Sequence, residues 1–302
     1  MSTTHPEPIH ENRAAFAPEL TYTVKNRRTA LDVLLTGLAL IFSVSAMLPL
    51  VSVLYMLLVR GLSKLNLSLF TELTPGGGMD GGGIGNAIVG TLVVVLLASL
   101  IALPLGFLSA VYLAEYGGES KFASGVRFAG KVLTGMPSIL AGVFAYALVV
   151  STLGRFSALA GGVALGLLMV PIVTLTAEQA LRMVPEPMKL AAFGMGATHA
   201  QVIMRVVVPT AIPGILTGVM LALARALGET APLLFTALFS DYWFGGDLTE
   251  PIASLAVLIY NFSGSPFENQ VELAWAASLV LVSLVLVLNV SAQLLTKRPQ
   301  EH

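Results

Sequence analysis

The chain has 302 residues, 56% of them hydrophobic and only 11% charged, with a formal net charge of −1 and a mean hydropathy of +0.85. A soluble domain carries about 25% charged residues, so the composition points to a membrane protein, and the lack of a basic surplus excludes nucleic acid as a partner. No cysteine is present, which excludes disulfides, thiolate metal sites and thiol catalysis. The four histidines, His5, His10, His199 and His302, form no ligand cluster. No metal and no cofactor is expected.

In chain order, residues 1–29 are polar and read as a disordered cytoplasmic tail, with Lys25, Arg27 and Arg28 near its end. The apolar run Val33–Val59 exceeds the roughly 7–15-residue core of a secretory signal and lacks a clear A-x-A exit, so a retained helix is expected. A spanning helix needs about 20 mostly apolar residues. Six runs qualify: 31–59, 86–114, 132–154, 157–178, 209–239 and 271–296. The expected fold is all-α, a polytopic membrane bundle of six transmembrane helices occupying residues 30–298. Pro49, Pro104, Pro137, Pro171 and Pro232 lie in these runs, where neighbouring helices can satisfy the carbonyls that a proline frees. Gly162-x-x-x-Gly166 and Gly214-x-x-x-Gly218 suit close packing, yet each taken singly reads as ordinary membrane composition.

Orientation follows from the loop Lys and Arg residues. With the N-terminus inside, twelve basic residues are cytoplasmic and only Arg60, Lys64 and Arg155 are external. Both termini are therefore expected in the cytoplasm. The last outer loop, 240–270, holds Asp241, Asp247, Glu250 and Glu268 and no basic residue.

Two stretches imitate nucleotide sites. Gly125 to Val132 approaches the G-x4-G-K-[ST] phosphate loop, but it lacks the hydroxyl and no strand precedes it. The glycine-rich stretch 75–85 falls on the outer side and reads as a flexible loop. No nucleophile elbow or Ser/His/Asp set appears. The chain is not expected to be an enzyme or to hydrolyse ATP itself.

The longest inner connection, 178–208, is too apolar for a solvated tail. Met188–Phe193 predicts a short helix, Gly194 and Gly196 its stop, and Thr198 the cap of a second helix. Such an apolar helical knob suits docking of a soluble partner. The order Leu190-Ala191-Ala192, Gly196, Val206-x-Val208-Pro209 resembles the E-A-A…G…I-x-L-P loop of type I bacterial ABC importer permeases. That resemblance implies that Leu190, Ala191, Ala192 and Gly196 contact an ATPase subunit. Leu190 stands where the family has a glutamate, and Glu186 lies one turn upstream. The strings "GGIGNAIVGTL", "AVYLAEYGG", "GMPSILAG" and "ARALGETAPLLFTA" resemble the A-type permease of phosphate-specific importers.

The resemblance implies a bacterial inner-membrane subunit forming half of a pore for inorganic phosphate. Its implied partners are a second, C-type permease, two ATP-binding subunits, an extracytoplasmic phosphate-binding protein and the lipid bilayer. "ARALGE" is also similar to molybdate and sulfate permeases, and a carrier independent of ATP is a further alternative. Within the fifth run, Arg225 lies about 24 Å along the helix from Pro209. A mid-membrane arginine costs about 2.5–3.5 kcal/mol, so it must face a cavity or a partner. Glu229, four residues on, shares its helix face, and Pro232 withdraws the donor for the Gly228 carbonyl. Arg225 and Glu229 either pair as scaffold or form an anion site in which Arg225 supplies the fork and Glu229 orients it. The resemblance adds Ser138, in "GMPSILAG", to the same substrate pathway.

Overall fold

The computed structural model describes residues 27–296, so Lys25, most of the expected tail, and Lys297 and Arg298 lie outside the described residues. Every element among the described residues is helical: α1 (Arg27–Leu62), α2 (Leu67–Thr71), α3 (Gly85–Val111), α4 (Lys121–Gly135), α5 (Ser138–Ala145), α6 (Ser151–Leu153), α7 (Ala158–Arg182), α8 (Glu186–Gly194), α9 (His199–Val202), α10 (Val208–Gly228), α11 (Ala231–Leu234), α12 (Leu255–Ser263) and α13 (Glu268–Thr296). Three π-helical turns, Tyr112–Tyr116, Tyr146–Val150 and Ile203–Val207, continue α3, join α5 to α6, and join α9 to α10.

The chain forms two compact units, one ending at Tyr55 and one beginning at Met56. In the first, the described part of α1 exposes every residue from Ala30 to Tyr55 except Gly37. A helix apolar all round with no buried face is built for an apolar solvent.

The second unit is organised around α7, which packs against α3 and α10. Small residues set these contacts. A Cβ on Gly162 would stand 2.6 Å from the Leu97 Cβ, and one on Gly214 would stand 2.7 Å from the Ala180 Cβ. The side chain of Thr176 occupies the space that a Cβ on Gly218 would need. Both glycine patches thus lie at helix contacts, although composition alone gave them no special part. One core holds Ala98, Ala102, Leu165, Met169, Val173, Ala222 and Leu227 between these helices. A second lies under α12 and the start of α13. A third joins the ends of α3 and α7 to α8, α9 and the start of α10.

Among the described residues, five helical segments are long and apolar enough to span a membrane: 30–62, 85–116, 158–182, 199–228 and 268–294. Lys121–Gly135 and Ser138–Leu153 meet at 104° and reach spanning length and hydropathy only when taken together, as a broken span or a re-entrant pair. The expected continuous span 132–154 is therefore corrected. Met136 is extended (φ −71, ψ 139), as a residue before proline prefers, and Pro137 removes a donor. The near-match to a phosphate loop, Gly125–Val132, lies inside α4.

The expected helix 209–239 is corrected too: α10 stops at Gly228 and Glu229 is extended (φ −76, ψ 120). The connection 178–208 is itself mostly helical: α7 runs to Arg182, α8 takes Glu186–Gly194 and α9 opens at His199. The glycine-rich stretch 75–85 is pinned rather than loose. Asn269 donates to the Met79 and Gly81 carbonyls at 2.8 and 3.0 Å, and Gln270 donates to the Pro75 carbonyl at 3.1 Å. In the loop after α11, the Thr249 N–H and hydroxyl donate to Asp247 and hold its carboxyl below the usual range.

Candidate substrate pathway and coupling surface

Arg225 sits in the last turn of α10, where the helix dipole favours a cation. The helix then breaks, and the chain places Glu229 so that Arg225 Nε donates to its Oε1 at 3.1 Å. The two side chains are 37% and 14% exposed. Only the Nε edge of the guanidinium is used; neither Nη atom has a hydrogen-bond partner among the described residues. The fork is held at one edge and open at the other.

Past the break, α11 turns back into the bundle. Pro232 lies against α5, where a Cβ on Gly142 would stand 2.6 Å from the Pro232 Cα. Gly142 is one turn beyond Ser138, the first residue of α5. Ser138 is half-buried, and among the described residues no hydrogen bond joins it to Arg225 or Glu229. The structure brings Arg225 and Glu229 together, and brings the element carrying Ser138 against α11.

At the other end of α7, the short helix α8 carries the loop residues. Glu186 opens it, Gly196 after it takes φ +84, and Thr198 caps α9 through a reciprocal box with Gln201. Leu190 is 60% exposed, and Ala191 and Gly196 are exposed as well. Ala192 is not: at 4% exposure it packs beneath the loop with Leu181, Val184 and Val202. Met183, Met188 and Met195 add exposed apolar surface around α8. Glu186 is exposed and makes no ion pair among the described residues.

Sequence reasoning missed the cluster that ties this loop to the bundle. Glu178, with its side chain 6% exposed, accepts from Arg127 Nε at 2.6 Å and from Arg182 Nε at 2.9 Å. Both guanidiniums also donate to the Leu113 carbonyl, at 2.9 and 3.1 Å. That carbonyl is available because the π turn shifts the ladder: the Gly117 N–H bonds to Tyr112 instead. In the same turn Glu115 accepts from Lys189 of α8 at 2.8 Å, and Tyr116 packs edge-on against His199 at 5.0 Å. The Glu178/Arg182 spacing of four was the one legible signal; Arg127 lies 51 residues from Glu178.

Residues 102–300 match the family of binding-protein-dependent transport system inner membrane components. The chain is 42% identical over 262 residues to the phosphate transport system permease protein PstA of Yersinia pestis, covering 85% of this chain and 88% of that one. It is 37% identical over 243 residues to the probable PstA of Methanocaldococcus jannaschii, covering 80% and 85%. Among solved structures it resembles the inward-facing MetNI methionine ABC transporter, with a TM-score of 0.55 at 21% identity over 71% of this chain and 93% of that one. It also resembles a bacterial ABC transporter that imports alginate, with a TM-score of 0.60 at 14% identity over 90% and 96%. These two show the fold: an all-helical ABC importer permease bundle. Neither the family nor the fold is that of an enzyme, and this chain belongs to the binding-protein-dependent inner membrane permeases, in the PstA branch.

Proposed function

We propose that this chain is a permease subunit of an ATP-driven importer of inorganic phosphate, forming half of the translocation pathway. A second, C-type permease would supply the other half, two ATP-binding subunits the energy, and an extracytoplasmic phosphate-binding protein the substrate. Both termini would be cytoplasmic. The observation that carries the reading is the Arg225–Glu229 pair at the interrupted end of α10, in a chain 42% identical to a phosphate permease. The pair leaves the Nη edge of Arg225 for an oxyanion, and a guanidinium fork matches phosphate oxygens two at a time. Ser138 lies on the adjoining element. The exposed residues Leu190, Ala191 and Gly196 on and beside α8 would meet the ATPase, while buried Ala192 holds the loop's shape.

The 3.1 Å contact also favours a second reading, in which the pair only braces the bundle. Uptake of labelled phosphate by vesicles carrying the whole assembly separates the two, with sulfate and molybdate as competitors. Arg225→Gln should assemble yet lose uptake by about 10- to 150-fold, the equivalent of a charge-assisted contact of about 1.5–3 kcal/mol. Arg225→Lys should recover part of it, since a point charge does not replace a fork. Normal uptake by Arg225→Gln sinks the anion role, and failed assembly favours bracing.

A further inference from the structure

Between α7 and α10 lies a cleft of about 470 Å³, ample for a hydrated oxyanion when one water takes about 30 Å³. No charged side chain lines it; its polar lining is Thr176, Gln179, Thr210 and Thr217. On α10 the lining residues Ala211, Gly214, Gly218 and Leu221 recur at spacings of three and four, and the next position in that series is Arg225. One helix stripe therefore runs from the cleft to the guanidinium, and the cleft ends one turn short of it.

Of the three hydroxyls facing this space, those of Thr176 and Thr217 are already engaged, while Thr210 and the Gln179 amide supply donors that any oxyanion can use. Thr176 Oγ1 donates to the Ile172 carbonyl at 2.7 Å, and Thr217 Oγ1 donates to the Pro213 carbonyl at 2.9 Å. Each has used its one hydrogen, and what remains are oxygen lone pairs that only accept. Gly214 and Gly218 bring α7 and α10 close, so the Thr176 hydroxyl sits on a tightly packed wall, with the exposed Thr217 at its rim. Two such acceptors offer nothing to an oxyanion without protons. They do offer a partner to an oxyanion that carries its own hydroxyl. At neutral pH inorganic phosphate carries one or two P–OH groups and sulfate carries none.

We propose that this cleft is a second station for the transported anion, and that Thr176 and Thr217 select protonated oxyanions by accepting their P–OH hydrogens. The station rests on the reading of Arg225 as the first contact. A site built to bond a substrate hydroxyl discriminates strongly against an analogue without it, and the absence of charge in the lining lets the anion move on.

The test uses the assembled transporter in proteoliposomes without the binding protein, whose own selectivity would mask the effect. Because the chain has no cysteine, Leu221→Cys gives it a single thiol at the cleft edge. The rate of its alkylation by a small maleimide is measured with phosphate or with sulfate at matched ionic strength. Phosphate should slow labelling several-fold, and sulfate, which meets only the Thr210 and Gln179 donors, should slow it less. Adding Thr176→Val or Thr217→Val, which keep the shape, should raise the phosphate concentration needed by roughly 2- to 12-fold per hydroxyl. Thr→Ser at either position should retain protection. Equal protection by sulfate, unchanged protection in the valine variants, or a thiol unreactive in every nucleotide state overturns the proposal. Arg225→Gln uptake measured in parallel keeps the two readings apart. Normal uptake removes the Arg225 role, whereas lost uptake with equal protection by both anions removes only the cleft.

Discussion

Glu178 shows how much of a site one carboxylate can organise. Its oxygen takes two guanidiniums at 2.6 and 2.9 Å in a nearly solvent-free setting. Removing one member of a buried ion cluster leaves charge uncompensated and costs about 3–5 kcal/mol. Arg182 is half-exposed here, which moves the expectation to the lower end. Glu178→Gln should lower the thermal midpoint of the purified assembly, while Arg182→Gln should lower it less. An unchanged midpoint for Glu178→Gln would show that water already screens the cluster. Arg225 and Glu229 were legible as residues because charge is rare in an apolar run. The Arg127 contact was not, because it joins elements far apart in sequence. The Leu113 carbonyl was not, because its availability depends on a π turn that no residue pattern announces.

At the scale of elements, apolar length fixed the number of spans, while two breaks escaped it. The prolines themselves tell them apart. Pro49, Pro104, Pro171 and Pro213 lie inside continuous helices, and none has a glycine within the four residues before it. Pro137 follows Gly135, and Pro232 follows Gly228, and at both the helix ends. A proline costs a helix interior about 3 kcal/mol and a glycine about 1; together they exceed what neighbouring helices offset. The helix α8 and the Thr198 cap were legible from local chemistry, but the burial of Ala192 was not, since α9 and α7 cover it. A crosslinking probe therefore belongs on Leu190. Leu190→Cys, the chain's only thiol, should crosslink over a short reach to a cysteine in the ATPase groove, with a yield that changes between nucleotide-free and ATP-bound states. If it never does, while a cysteine at exposed Phe122 of α4 does so efficiently, the docking surface lies on α4 instead.

For the whole molecule, the loop charges predict which ends of the bundle face the cytoplasm. Reporter fusions after Arg127 and Arg205 should be cytoplasmic, and fusions after Pro75 and Glu250 external. A fusion after Arg205 that reports outside would put α8 out of reach of an ATPase. The bundle follows from bulk properties of the sequence, and the orientation expected from them awaits the fusions, while the partners' footprints do not follow, because they depend on surfaces of other chains. The interrupted end of α10 carries one more consequence for the assembled pore. The Glu229 N–H closes the helix on the Ala226 carbonyl, the carbonyls after it have no further helical turn to donate to them, and open backbone at membrane depth survives only against protein or water. If water wets this level, it raises the local dielectric. Between a dry interior and a wetted one the pull of a guanidinium on an anion falls about five-fold. The broken helix would then set a residence time: strong enough for the anion to arrive, and weak enough for it to leave within one turnover.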